Sequence, residues 1–218
     1  EGKREPLAPE THRARVLAAF DPLPHWYQPF EEAAVDDTAF PLHAVTQRPA
    51  AMYHSWGSMN AWLRQIHTRN VLYVPGPVCD EHDLVDGDWV DVVSHHGRIR
   101  VPIARTDAAN SSTLWTWNGI GKREGTWGLD RDVPESRKGF LLNHLIHELL
   151  PQKGDGLRWS NSDPVTGQAA WYDLKVRLEK CTPDEAKETS PRFEPIGRPG
   201  HIDPPEELRF GEAFGSKR

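Results

Sequence analysis

One stretch, from Leu84 to Ile103, constrains the fold more than any other part of the chain. Asp86-Gly87 is turn chemistry, because glycine reaches the left-handed backbone region without steric cost. Trp89–Ser94 follows as a run rich in β-branched residues, His95–Gly97 has the composition of a hairpin turn, and Arg98–Ala104 alternates polar with apolar side chains. Alternation places successive side chains on opposite faces of a strand, so the stretch predicts a hairpin with one buried face. A hairpin also leaves two edges of unpaired backbone groups, which the rest of the chain has to cover or close.

The flanking sequence supplies further strands in short pieces. Phe40–Thr46 and Val71–Val74 are apolar runs of strand length, the second stopped by Pro75-Gly76-Pro77. Thr113–Trp117 is rich in β-formers, and Trp171–Leu178 sets Leu174, Val176 and Leu178 against intervening charges. Two helices are expected. In Ser58–Thr68, Met59, Trp62, Leu63 and Ile66 recur at spacings of three and four. In Gly139–Leu150, Leu141, Leu142, Leu145, Ile146 and Leu149 share a stripe that stops at Pro151. Gly119–Lys138 is glycine-rich and charged, as a surface loop is. The sum is a mainly β fold with helical insertions, a small barrel whose closure removes strand edges. Glu1–Asp37 is Pro-rich with a short helix candidate at His12–Phe20, and Thr182–Arg218 is Pro-rich and polar. The expected division is an entry segment over 1–39, a barrel domain over 40–180 and an extended or disordered tail over 181–218.

Charge narrows the function classes. Thirty-two acids against 26 Lys and Arg give a net charge of −6 without long blocks of one sign. That excludes a globally basic nucleic-acid binder and leaves room for a local basic pocket. No apolar run approaches the ~18 residues of a membrane-spanning helix. Cys79 and Cys181 form no CxxC pair and no zinc or iron–sulfur ligand set, so two free buried thiols in a reducing compartment are expected. There is no Walker loop, no G-x-G-x-x-G fingerprint and no nucleophile elbow.

Four segments have ligand-binding chemistry. Thr46, Gln47 and Arg48, followed by His54, Ser55 and Asn60, lie between a strand and a helix. Backbone donors, an arginine fork and neutral polar groups there suit an anionic, heteroatom-rich ligand, although a polar loop with a helix cap explains the same spacing. Trp115, Trp117 and Asn118 could stack on a planar ring and bond its edge, where core packing is the plainer alternative. Asn143 stands beside His144 and His147, a pair that lacks a third ligand at metal-binding spacing. Ser160–Gln168, with Asp163, Pro164 and Gly167, is ordinary turn chemistry leading into the last strand.

Taken in order, these pieces resemble the C-terminal dinucleotide-binding domain of the dimethyl sulfoxide reductase family of molybdopterin enzymes, a double-psi β-barrel. The family's Thr-Gly-Arg and His-Ser/Thr segments are similar to Thr46, Gln47, Arg48, His54 and Ser55. Its Gly-Asp before a Val-rich hairpin is similar to Gly87-Asp88, its late helical Asn to Asn143, and its Asp-Pro-x-Ser/Thr-Gly segment to Asp163–Gly167 ahead of Tyr172. The resemblance spans about Phe40–Glu179. Within the family, Ser160 to Trp171 looks most like the catalytic subunit of a cytoplasmic-facing sulfite dehydrogenase, with polysulfide reductases as near relatives.

What the resemblance implies is a double-psi β-barrel with extended N- and C-terminal tails that holds molybdopterin guanine dinucleotide at a molybdenum site. The implied contacts are Thr46, Gln47, Arg48, His54, Ser55, Asn60, Asn118, Asn143, Asp163 and Tyr172, with no catalytic residue and no metal ligand in this chain. An iron–sulfur cluster is expected only in an N-terminal part lying outside it. Further implied partners are the rest of the catalytic subunit, a membrane anchor and an iron–sulfur electron-transfer subunit. The implied location is cytoplasmic, and no nucleic acid is involved. Two departures stand out: Gln47 replaces a frequent Gly, and Tyr172 a frequent Lys. A stand-alone double-psi barrel serving as a protein-interaction or substrate-recognition module is the alternative.

Overall fold

The computed structural model describes Arg13 and residues 29–54, 56–67, 69–120, 139–147, 149–152, 158–160, 168–169, 173–185, 189 and 192–193. Seven strands form one sheet: β1 (Leu42–Gln47), β2 (Leu72–Pro75), β3 (Trp89–Val93), β4 (Gly97–Thr106), β5 (Thr113–Trp117), β8 (Leu174–Lys180) and β9 (Arg192–Phe193). Their order is β2-β5-β1-β8-β3-β4-β9, and β2 also pairs with β4, so six strands close into a barrel with β9 added beside β4. β6 (Leu149–Gln152) and β7 (Arg158–Ser160) make a separate two-stranded ribbon. Among the described residues short helices accompany the strands, including α1 (Phe30–Ala34), α2 (Ala61–Ile66) and α3 (Gly76–Glu81). No described helix is long and apolar enough to cross a membrane.

The period of two is what fills the barrel. Leu42 and Ala44 of β1, Leu72 and Val74 of β2, Val90 and Val92 of β3, Ile99, Val101 and Ile103 of β4, Leu114 of β5, and Leu174, Val176 and Leu178 of β8 are all buried in one cluster. Each such Leu, Ile or Val contributes about 1.5–3 kcal/mol of transfer free energy against exposure. Phe140, Leu142 and Leu145 join the same cluster from outside the strands.

The hairpin forms as its sequence predicts. Val90 faces Val101 and Val92 faces Ile99 across β3 and β4. At its turn Ser94 accepts through Oγ from the backbone N–H of His96 and Gly97, each at 3.2 Å, and Ser94 N donates to Gly97 O at 2.8 Å. Gly87 takes φ +89° at the entry turn, and Val85 N donates to Asp88 Oδ2 at 3.1 Å. The cysteines are free, Cys79 buried and Cys181 half-buried.

Of the two expected helices, one gives way to a 3-10 turn and the other forms over a shorter span. Over Gly139–Leu150 the chain makes only a 3-10 turn, Leu142–Leu145, and then becomes extended in β6. Leu142 and Leu145 reach the core from this turn, with Phe140 just ahead of it and Ile146 packed against it, so these side chains are covered without a helix. Ser94 Oγ donates to Leu145 O at 2.8 Å, taking a carbonyl that a helix would use itself. Pro151 also biases Leu150 toward extended backbone. Over Ser58–Thr68 the chain is a 3-10 turn, Trp56–Met59, followed by α2, which buries none of its residues. Trp62 is 78% and Ile66 63% exposed, so these two side chains face away from the barrel core. A helix that the sequence reading leaves unmarked, α3, begins directly at Pro75-Gly76-Pro77, because proline is pre-organised for a first helical turn.

The 181–193 region carries β9, whose Arg192 pairs with Arg98 of β4. Arg192 also reaches Asp91 Oδ2 at 2.7 Å, and Thr189 Oγ1 donates to Gly139 O at 2.8 Å. The helix candidate at His12–Phe20 lies outside the described residues except for Arg13.

Candidate functional site

β1 and β5 are parallel neighbours in register from His43↔Thr113 to Gln47↔Trp117, so the chain leaves both strands at the same end of the barrel. The two exits are tied together, with Asn118 N donating to Gln47 O at 2.6 Å. From β1 the loop passes exposed Arg48, buried Met52 and exposed Tyr53 to His54, which sits at φ +49°. Non-glycine residues enter that region rarely, and strain of this kind gathers at functional sites. Asn118 Nδ2 lies 3.0 Å from His54 Nδ1. The Tyr53 ring meets the imidazole edge-on with centroids 5.3 Å apart, and Arg48 Cζ lies 5.8 Å from the Tyr53 ring centroid. Gln47, Arg48, His54 and Asn118 are therefore gathered on one rim.

Asn70 is a rim residue that the sequence reading passed over. It precedes β2, which runs antiparallel to β5 and so starts at the same end. Its side chain is buried; Nδ2 donates to Trp117 O at 3.1 Å and Phe140 O at 3.2 Å, and Thr116 Oγ1 donates to its Oδ1 at 2.8 Å. One amide thereby binds the end of β5 to the segment that carries Asn143. The available signal was a lone Asn between a helix and an apolar strand, which by itself marks nothing more than a turn.

The remaining candidates divide. Thr46 is half-buried in β1. Asn60 is the N-cap of α2, its Oδ1 accepting from Trp62 N at 2.9 Å and Leu63 N at 3.3 Å, so its carbonyl is already engaged. Asn143 lies exposed in the 3-10 turn, three residues past Phe140, and its side chain hydrogen-bonds to none of the rim group. Ser55, Asp163 and Tyr172 lie outside the described residues. The tryptophans of β5 are not core: Leu114 and Thr116 point inward, while Trp115 stacks on Tyr73 at 3.9 Å and Trp117 meets Trp115 edge-on at 5.0 Å on the outer face. His147 contacts His96, with ring centroids 4.4 Å apart. Among the described residues no group of three or more His, Cys, Asp or Glu is arranged to hold a metal ion.

Electrostatics set this rim apart. Between Asp37 and Asp80 the sequence has no acidic residue, yet it holds Arg48, Arg64 and Arg69. In a chain of net charge −6 this segment therefore adds positive charge and no carboxylate of its own. Neutral donors, an exposed guanidinium and aromatic faces together can bind a phosphorylated, planar, heteroatom-rich molecule.

No protein-family model matches the chain. The chain is 52% identical over 199 residues to a sulfite dehydrogenase subunit from Allochromatium vinosum, a match that covers 91% of this chain and 21% of that protein. Among solved structures it resembles acetylene hydratase from Pelobacter acetylenicus, with a TM-score of 0.52 and 19% identity over 76% of this chain and 22% of the other, a likeness of fold alone. The chain thus spans about a fifth of the length of each, and nearly all of it is similar to one stretch of a sulfite dehydrogenase subunit.

Proposed function

We propose that the chain is the pterin-dinucleotide-binding domain, a double-psi β-barrel, from the catalytic subunit of a molybdenum oxidoreductase whose substrate is a small sulfur oxyanion of the sulfite type. The observation that carries this reading is the rim where parallel β1 and β5 end, with Gln47, His54 and Asn118 in contact and Arg48 beside them. Two parallel pairings within the ring, β1 with β5 and β2 with β4, support the double-psi connectivity. The 52% identity to a sulfite dehydrogenase subunit supports the substrate class.

The residues present fit such a cofactor. Arg48 supplies a fork of donors for phosphate, His54 and Asn118 supply neutral hydrogen-bonding groups, and the span between Asp37 and Asp80 contributes no carboxylate. Ser55, Asp163 and Tyr172 are proposed as further contacts, with Thr46, Asn60 and Asn143 at the margins. When bound, the cofactor's metal supplies oxygen-atom and electron transfer, and this domain's share is binding and orienting the organic part. The rest of the catalytic subunit, including an iron–sulfur cluster, is the proposed immediate partner. Its proposed contact is with the exposed Tyr53, Trp56, Trp62 and Ile66, which α2 and its approach leave uncovered. A membrane anchor, an iron–sulfur electron-transfer subunit, and a cytoplasmic location complete the proposal.

Thermal unfolding tests it. Pterin guanine dinucleotide at a hundred times its Kd adds about 2.7 kcal/mol, a rise in Tm of roughly 5–10 °C for a chain of this size. Arg48→Ala is expected to remove most of that rise. A shift equal in the variant, or none in either protein, contradicts the proposed pocket.

A further inference from the structure

We infer that Asn118 is a positioning residue that acts through His54: its side-chain amide holds the imidazole as the Nε2–H tautomer, so that the ring offers a ligand a hydrogen-bond donor rather than an acceptor. The contact is Asn118 Nδ2 to His54 Nδ1 at 3.0 Å. An amide nitrogen donates and does not accept, so Nδ1 must be the unprotonated nitrogen and a neutral ring then carries its proton on Nε2. The opposite arrangement would set two N–H groups against each other.

Three features fix the pair. Asn118 is anchored by its own backbone N–H on Gln47 O at 2.6 Å, at the end of a strand. Gly119, with φ +74°, then turns the chain away, a conformation glycine adopts freely. His54 is held at φ +49° with Tyr53 edge-on to its ring. Such a backbone persists only where the surroundings over-determine it, and the Asn118 contact is one of those surroundings. The tautomer matters because ligand oxygens are acceptors: Nε2–H attracts a phosphate or ring carbonyl, whereas a lone pair at the same position repels it. The choice of ligand chemistry rests on the cofactor reading above, but the tautomer is a property of the ligand-free chain and stands or falls by itself.

The test is a long-range proton–nitrogen correlation spectrum of the 15N-labelled, ligand-free chain at about pH 8, where ordinary imidazoles are neutral. The chain has 11 histidines, so the His54 signals are assigned by their loss in His54→Gln. Wild type is expected to show Nδ1 as the unprotonated nitrogen and Nε2 as the protonated one. In Asn118→Asp a carboxylate faces Nδ1, and a proton is expected to appear there. A wild-type ring protonated on Nδ1 overturns the inference, because the amide would then present its oxygen. So does an Asn118→Asp protein, folded by its amide spectrum, whose His54 pattern is unchanged. Should that variant fail to fold, the wild-type spectrum alone decides.

Discussion

Replacing Asn70 with Leu keeps the approximate size of the side chain and removes the polar atoms that bind the end of β5 to the Phe140 segment. Phe140 O, buried, loses its donor at 3.2 Å, and Trp117 O, partly buried, loses one at 3.1 Å. Thr116 Oγ1 loses an acceptor but has Val71 O at 2.9 Å as a substitute, so it adds little. A buried acceptor left unsatisfied costs about 1–3 kcal/mol and a partly solvated one less, which gives a total of roughly 2–4 kcal/mol. Asn70→Asp keeps the acceptor for Thr116 but turns a carboxylate toward two carbonyl oxygens, and is expected to cost more than the leucine. Urea unfolding with an unchanged m-value measures both, and amide hydrogen exchange near Asn118 and Ile146 shows whether the loss is centred on the rim. A leucine variant within about 0.5 kcal/mol of wild type, the ordinary range of an inconsequential substitution, refutes the reasoning.

Three further outcomes are expected. Burial, joined by repulsion from Glu31 and Glu32, raises Asp173 to about 6, although Glu31 N donates to its Oδ2 at 2.6 Å. A carboxyl whose folded pKa is raised contributes stability below its unfolded pKa of 3.8 and loses it as pH rises through about 6. Taken alone the shift is worth about 3 kcal/mol, but Asp173 is only half-buried and solvent screening reduces it. Asp173→Asn should therefore stabilise by roughly 1–2 kcal/mol at neutral pH and by almost nothing at low pH; equal effects at both, in paired denaturant curves, contradict the assignment. Burial alone would raise Asp91, but Arg100, bidentate at 2.8 and 3.1 Å, and Arg192 at 2.7 Å hold it below the usual range. Asp91→Asn breaks a buried pair and should cost about 3–5 kcal/mol, with faster proteolysis around residues 181–193; a loss under 1 kcal/mol contradicts it. Gly87→Ala places a Cβ that meets nothing within 4 Å at φ +89°, so its cost should be purely conformational, about 1 kcal/mol by thermal unfolding.

How much of this was legible in the sequence follows from the range of each signal. The hairpin was readable because turn residues and alternation act within about twenty residues, and β3 and β4 form where Asp86-Gly87 and Ser94–Gly97 place them. Thr113–Trp117 was readable to the residue as a strand, but not the side its tryptophans would take. The leucines of Gly139–Leu150 fit a helical stripe, and only the long-range Ser94–Leu145 bond and the barrel core decide for a 3-10 turn. At the site, Gln47, Arg48, His54 and Asn118 were named from sequence order, whereas their closeness depends on the parallel pairing of β1 with β5, about seventy positions apart. Asn70 was not legible at all, since its three partners belong to residues 116, 117 and 140. The absence of acids between Asp37 and Asp80 was present in the sequence from the start, hidden by an even-looking total charge.

The central claim is that the loops leaving β1 and β5 form the ligand-binding rim. Amide chemical-shift mapping of the 15N-labelled chain during titration with pterin guanine dinucleotide tests it most directly. Saturable shifts clustered at residues 47–60 and 118–120 are predicted, with the hairpin turn at Ser94–Gly97 unmoved. Shifts concentrated on that turn or on the β6–β7 ribbon, with the 47–60 loop silent, would contradict the account.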